Sequence, residues 1–423
     1  MAKKRRTKAS RTIVTKKGVS RAERDYGYIA AKKMLRHFDL DPTILDIFTK
    51  RHRQMLFSMA FEMPTVKAER EKTVPRQFIK TIHSEMFTYM KTNYWGDPEN
   101  KFSFMELATY GMAFQTMLRI CVEDGIFAGD QYDTAKLIVD KFSTEECFID
   151  DGFKNVYSFL YMLTRGISQF NFRMYGFNYK WEDTSYNKTG FTNFKLRIYI
   201  TAHDCETKMI THNNIKRKAF RLILTDYCQF KPIRLFIPKN KIFPKASSNE
   251  IFNLYIQSHV LSRFKERMDV FEPQVRNLII QNSLSIWLNI ISTEKQSYFM
   301  CSVRPDTPAG YFTFFISGDD LVINTFIPLM NEHTPEGSKL FKLLKLSKDE
   351  TVYLGMDKMS FLFDVDFDQI PVLKQALINS GIWKLKLAIQ DMFDDAPEFV
   401  ESSIDEIKTM FVKNFFEKRD EYI

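Results

Sequence analysis

Along the first third of the chain, apolar residues recur every three or four positions, the spacing of a helix with one buried face. Asp41-Pro42 supplies a cap and a first helical residue, and Leu45, Phe48, Met55, Leu56 and Met59 then fall on one face. Ile79, Ile82, Met86 and Met90 repeat the pattern, widened by Phe78 and Phe87. Shorter stretches of this kind at 101–123, 131–141 and 152–164 predict an irregular helical domain over 27–170. Residues 166–190, rich in Gly, Asn and aromatics, read as a connection. Period two follows: Phe194, Leu196, Ile198 and Ile200 alternate with Lys195, Arg197, Tyr199 and Thr201, a half-buried strand with a basic outer face. Phe220, Leu222 and Leu224 alternate with Arg221, Ile223 and Thr225. With extended segments near 233–237 and 251–257, punctuated by Pro232, Pro238 and Pro244, this predicts a β-rich segment over 171–250.

Helical spacing returns at 258–282, and strands are expected at 284–292, 297–303, 311–317 and 321–327, the last two joined at Gly318-Asp319. A helix at 336–347 completes an α+β module over 251–390. In 391–423, Val400, Ile404, Ile407, Phe411 and Phe415 form an apolar stripe behind Asp394, Asp395 and Pro397, and ten acids against four bases make this helix acidic. The expected fold class is α+β: a helical domain, then a mixed, mainly antiparallel portion.

Charge adds an arm to this plan. Residues 1–25 hold Lys3, Lys4, Arg5, Arg6, Lys8, Arg11, Lys16, Lys17, Arg21 and Arg24 against two acids, a net +8, while the rest has 51 bases and 50 acids. So polar and basic a stretch is expected to be disordered over 1–26. Such an arm can neutralise phosphates and release their counterions, which suits nucleic acid of either kind, RNA or DNA; an acidic protein is the other partner it fits. The composition of the whole, 44% hydrophobic and 27% charged over 423 residues, is that of a folded protein of two or three domains. Five unpaired-looking cysteines point to a reducing compartment. The basic start lacks a following apolar stretch and no 18-residue apolar run occurs, so neither a signal peptide nor a membrane partner is expected, and the cytoplasm is the expected location.

The segment SHVLSRFKERMD places His259, Arg263 and Arg267 within about 80° of a helix at about 100° per residue, bordering a face of Val260, Leu261, Phe264 and Met268. An imidazole beside guanidiniums suits phosphodiester chemistry: histidine moves protons near neutrality and arginines hold phosphate oxygens. Phosphate binding without chemistry fits the same residues. So does a packing helix whose Arg263 pairs with Glu266. This helix, a second one opened by Pro273, and the strands ending in GYFTFFISGDDLVINTFI resemble the small ribonuclease toxins of the RelE and BrnT kind over roughly 254–330. The resemblance implies metal-independent RNA cleavage, with His259, Arg263, Arg267 and Arg304 as catalytic residues. The last strand departs from the pattern, offering Asn324 and Thr325 where such toxins often place a cation or Tyr; Arg304 and Tyr311 are the nearest substitutes.

Other constellations carry less. Asp364, Asp366 and Asp368 in FLFDVDFDQI read as the wet face of an edge strand, with cation binding as the alternative. His203, Cys205 and His212 lack zinc spacing, so no metal and no cofactor is expected. Nucleotide-loop, dinucleotide and hydrolase motifs are missing. The expected function is nucleic-acid association through the arm, aided by Lys195 and Arg197, with RNA cleavage as an added activity. The alternative is a structural or assembly protein of a phage or mobile element, located within the particle.

Overall fold

The computed structural model describes residues 21–57, 61–95, 101–144, 148–186, 192–225, 232–286, 288–292, 297–394, 410 and 412–413. They belong to two units, one formed by Met1–Lys67, Arg76–Phe159 and Tyr179–Tyr199, the other by Ala68–Pro75, Leu160–Asn178 and Ile200–Ile423.

The first unit is built on helices α1 (Arg21–His37), α2 (Lys50–Leu56), α3 (Arg76–Thr92), α4 (Phe104–Glu106), α5 (Met112–Glu123), α6 (Asp130–Thr144) and, as far as Phe159, α7 (Phe148–Ile167). Strands β1 (Glu62–Ala68), β4 (Arg173–Tyr186) and β5 (Thr192–Asp204) make a sheet ordered β1-β5-β4, of which Ala68, 173–178 and 200–204 count with the second unit, and β2 (Tyr94–Trp95) pairs with β3 (Phe102–Ser103). The apolar stripe of α3 buries Ile82, Met86 and Met90, as its spacing predicts. Asp41 caps as expected, accepting from Thr43 N at 2.9 Å, but the turn it opens is a 3-10 helix ending at Ile47. Thr49 caps a fresh helix, so Leu45, Phe48 and Leu56 reach the core from two short elements. Met55 does not join them, and Met59 lies outside the described residues. Phenylalanine pairs bind these pieces: Phe38 with Phe142 at 4.8 Å between centroids, and Phe48 with Phe127 at 5.0 Å.

The second unit contains β6 (Thr207–His212), β7 (Ile215–Arg221), β8 (Ile223–Thr225), β9 (Pro232–Arg234), β10 (Phe236–Pro238), β11 (Ile251–Gln257), α8 (Ser258–Arg267), α9 (Pro273–Ser283), β12 (Ile290–Ser292), β13 (Ser297–Arg304), β14 (Thr307–Ser317) and β15 (Asp320–Pro328). Helices α10 (Pro335–Leu344), α11 (Lys348–Tyr353), α12 (Phe361–Asp364), α13 (Pro371–Ser380) and α14 (Trp383–Asp394) follow. The main sheet runs β12-β13-β14-β15-β11-β7-β6, with β10 also on β11. Among the described residues its pairings are antiparallel except β11 with β15, which α8 and the strands after it join in parallel. Strand alternation sorts the side chains: Phe220, Leu254, Ile256, Leu321 and Ile323 enter the large core with Val260 and Phe264 of α8, while Ile210, Ala219, Tyr255 and Val322 cluster on the other face. The mixed, mainly antiparallel α+β class is therefore as expected.

Four expectations need correction. The strand expected at 284–292 is only β12, Ile290–Ser292, since Leu284 caps α9 and residues 284–286 form a turn. Residues 173–186 of the supposed connection form β4. The three-aspartate segment is not a strand: α12 ends at Asp364, Asp366 accepts from Asp368 N at 3.0 Å to cap a 3-10 turn, and Asp368 pairs with Lys374. Helix α1 begins at Arg21, so the last residues assigned to the arm are helical. Lys3 through Lys17 lie outside the described residues, as does most of the acidic helix expected at 391–423, of which only 391–394, 410 and 412–413 are described. Among the described residues no helix is long and apolar enough to cross a membrane.

Candidate phosphate-binding site

The β6–β7 hairpin turns on Asn213 and Asn214, both with positive φ (49° and 61°), the conformation a two-residue hairpin loop demands. Between Thr207 and Thr225 the chain has Lys208, Lys216, Arg217, Lys218 and Arg221 and not one acid. Pairing of Ile210 with Arg217 and of Lys208 with Ala219 sets Arg217 on the face of Tyr255. Arg221, opposite Tyr255, lays its guanidinium 5.2 Å from that ring centroid; it is only 6% exposed, and its Nε has no hydrogen-bond partner. Lys208 is neutralised by Asp320 at 2.5 Å. Neither Arg217 nor Arg221 makes an ion pair with a carboxylate among the described residues. At the hairpin tip His212 stacks on Phe315, 3.8 Å between ring centroids.

Helix α8 starts directly after β11, which brings its second residue, His259, against β7. Nη1 of Arg217 lies 3.0 Å from both ring nitrogens of His259. Burial, then Arg217 and Arg263, hold the His259 pKa below the ordinary imidazole value, against a smaller opposing effect from the Asn324 backbone. Arg263, one turn on, is half exposed and has Glu266 of its own helix at 3.4 Å. Arg267, another turn on, is mostly buried and ion-paired with Asp357. The arrangement is thus a run of cations, Arg217, Arg263 and Arg267, with a neutral imidazole among them. It can hold phosphate oxygens and has a proton acceptor at its centre.

The structure brings three of the four residues singled out for chemistry onto one helix border but leaves the fourth apart. Arg304 ends β13, two strands from β15, and pairs with Asp391 of α14 at 3.3 Å. Tyr311 of β14 donates to Glu336 at 3.0 Å, and burial raises its pKa. Lys195 on β5 is paired with Glu62 of β1 at 2.6 Å, and Arg197 is also engaged. Arg21 and Arg24 are part of α1. His203 is the last but one residue of β5, and Cys205 approaches the Gln169 carbonyl at 3.9 Å. Among the described residues no group of three His, Cys, Asp or Glu side chains could hold a metal.

Sequence reasoning missed Arg217 and the hairpin that carries it. The signal was present in the Asn-Asn pair between alternating strands and in the acid-free stretch around it. No family model matches the chain, and neither a curated protein nor a solved structure matches it.

Proposed function

We propose that this protein binds the phosphate backbone of nucleic acid, through its basic N-terminal arm and through the cations of the β6–β7 hairpin and α8. What supports this reading is the Arg217, His259 and Arg263 cluster. His259 has the guanidiniums of Arg217 and Arg263 for neighbours; Arg263 is paired with Glu266, while Arg217 has no ion pair with a carboxylate among the described residues. Charges of one sign held together cost free energy that a bound anion returns. Lys216 and Lys218, both exposed on the same strand, extend the charge along the hairpin.

The reading assigns binding and no cleavage step. Of the residues that would surround a scissile phosphate, Arg304 is held by Asp391 and Arg267 by Asp357. The test is anisotropy of a labelled single-stranded oligonucleotide between about 50 and 200 mM salt, where phosphate contacts weaken steeply. Removing residues 2–20, which spares α1, and replacing Lys216, Arg217 and Lys218 by Ala should each weaken binding and flatten its salt dependence. Unchanged affinity in both variants, or no binding by the full chain, overturns the reading.

A further inference from the structure

Helices α8 and α11 flank a cleft of about 340 Å³ at the end of β15. Arg263 and Arg267 line it from α8, Lys348 from α11, His333 and Asn331 from the turn between, and Asp357 lies beyond α11. Three permanent cations and one carboxylate line the cleft, and Glu266, just outside the lining, lies 3.4 Å from Arg263 and 3.9 Å from Arg267, so Lys348 is the cation left without a carboxylate among the described residues. Arg267 and Asp357 hold one another, their side chains 16% and 15% exposed, so Arg267 is fixed in place. Arg263 and Lys348 are exposed, and Lys348 has no ion pair among the described residues. Thr325 and Asn331 add neutral hydrogen-bonding groups.

A backbone phosphodiester carries a single charge. A phosphate monoester carries about −1.5 to −2 near neutrality and offers three strong acceptor oxygens. The cleft matches the second in its supply of donors, two guanidiniums and the Lys348 ammonium, unpaired among the described residues. Its volume, at the small end of ligand sites, suits a phosphorylated sugar better than a stretch of strand. It also continues the cationic run, because Arg263 both flanks His259 and lines the cleft.

We propose that this cleft binds the phosphate monoester of a nucleotide, carried by the end of a strand or by a free mononucleotide. The strand-end case rests on the nucleic-acid reading above; the mononucleotide case does not. The experiment compares, on the full chain, one oligonucleotide with hydroxyl ends, the same strand with a 5′ or a 3′ phosphate, and a nucleoside monophosphate. One phosphorylated strand should bind roughly tenfold more tightly than the hydroxyl form, the worth of charge-assisted hydrogen bonds. Lys348→Ala should remove that preference while leaving the hydroxyl strand's affinity in place. Binding of the monophosphate, lost in Lys348→Ala, with no strand preference assigns the free nucleotide as the ligand. If the monophosphate binds and neither strand does, the cleft stands and the nucleic-acid reading falls. Equal affinity for all strands with no monophosphate binding overturns the cleft and leaves that reading intact, and so does a preference that survives in Lys348→Ala.

Discussion

Nη1 of Arg217, on β7, sits 3.0 Å from Nδ1 and 3.0 Å from Nε2 of His259, near the start of α8. A guanidinium can only donate, so the imidazole beside it must present a lone pair, and burial with two nearby arginines keeps it neutral. The contact ties a strand to a helix 42 residues further along the chain. It also makes His259 sensitive to any anion that arrives between the cations.

A phosphate beside His259 favours the imidazolium and raises its pKa, so the complex takes up a proton that the free protein does not hold. Affinity for an oligonucleotide should therefore tighten as pH falls from about 7.5 to 5.5. His259→Gln should flatten that dependence in an anisotropy titration across the same range. In the free protein the sign is opposite. The folded pKa lies below the unfolded value, so the unfolded chain binds the proton first. Stability is lost as pH falls below about 6.5 toward the folded pKa. His203, also lowered by burial, contributes in the same direction, so His259→Gln should reduce the loss of urea midpoint without abolishing it.

Arg304→Ala should change oligonucleotide affinity by less than about twofold and stability by less than about 1 kcal/mol, since its partner is an exposed carboxylate of α14. A large loss of affinity would return Arg304 to the site.

Cys121 and Cys301 are buried completely, and burial pushes the thiol pKa of Cys121, Cys205 and Cys301 up to about 12. Thiolate is the reactive form, so iodoacetamide should leave these three unmodified in native protein near pH 8 and label them in denaturant. Peptide mass mapping reads the difference.

Gly337, the third residue of α10, lies against the turn before the helix. Its N–H donates to Thr334 Oγ1 at 2.9 Å, and a Cβ there would overlap the Asn331 carbonyl. Backbone cannot swing aside as a side chain can. Gly337→Ala should cost roughly 2–3 kcal/mol, read from the urea midpoint.

The elements that could be read from the sequence are those with a single buried face. The stripe of α3 and the β14–β15 hairpin, with Gly318 at φ 62° in its turn, fall where their patterns place them. Strand β4 was hidden because Met174, Tyr175 and Phe177 are all buried, so neighbouring residues on opposite faces are both covered and alternation vanishes. FLFDVDFDQI misled in the reverse way. Its alternation comes from two short helical turns joined at Asp366, whose carboxylate caps the second. Within the candidate site, the border residues His259, Arg263 and Arg267 could be found from their spacing of four. Which cation would meet His259 could not, because that depends on β7 lying beside β11.

The central claim is that the folded body, and not the arm alone, holds phosphate. The most direct test is the salt dependence of oligonucleotide binding by protein lacking residues 2–20, with and without Lys216→Ala, Arg217→Ala and Lys218→Ala together. The shortened protein should still bind, with affinity falling as salt rises, and the triple substitution should reduce the slope of log K against log salt by roughly 2, the release of three phosphate contacts on a single strand. Loss of all binding with the arm, or a slope that the triple substitution leaves unchanged, would contradict the account.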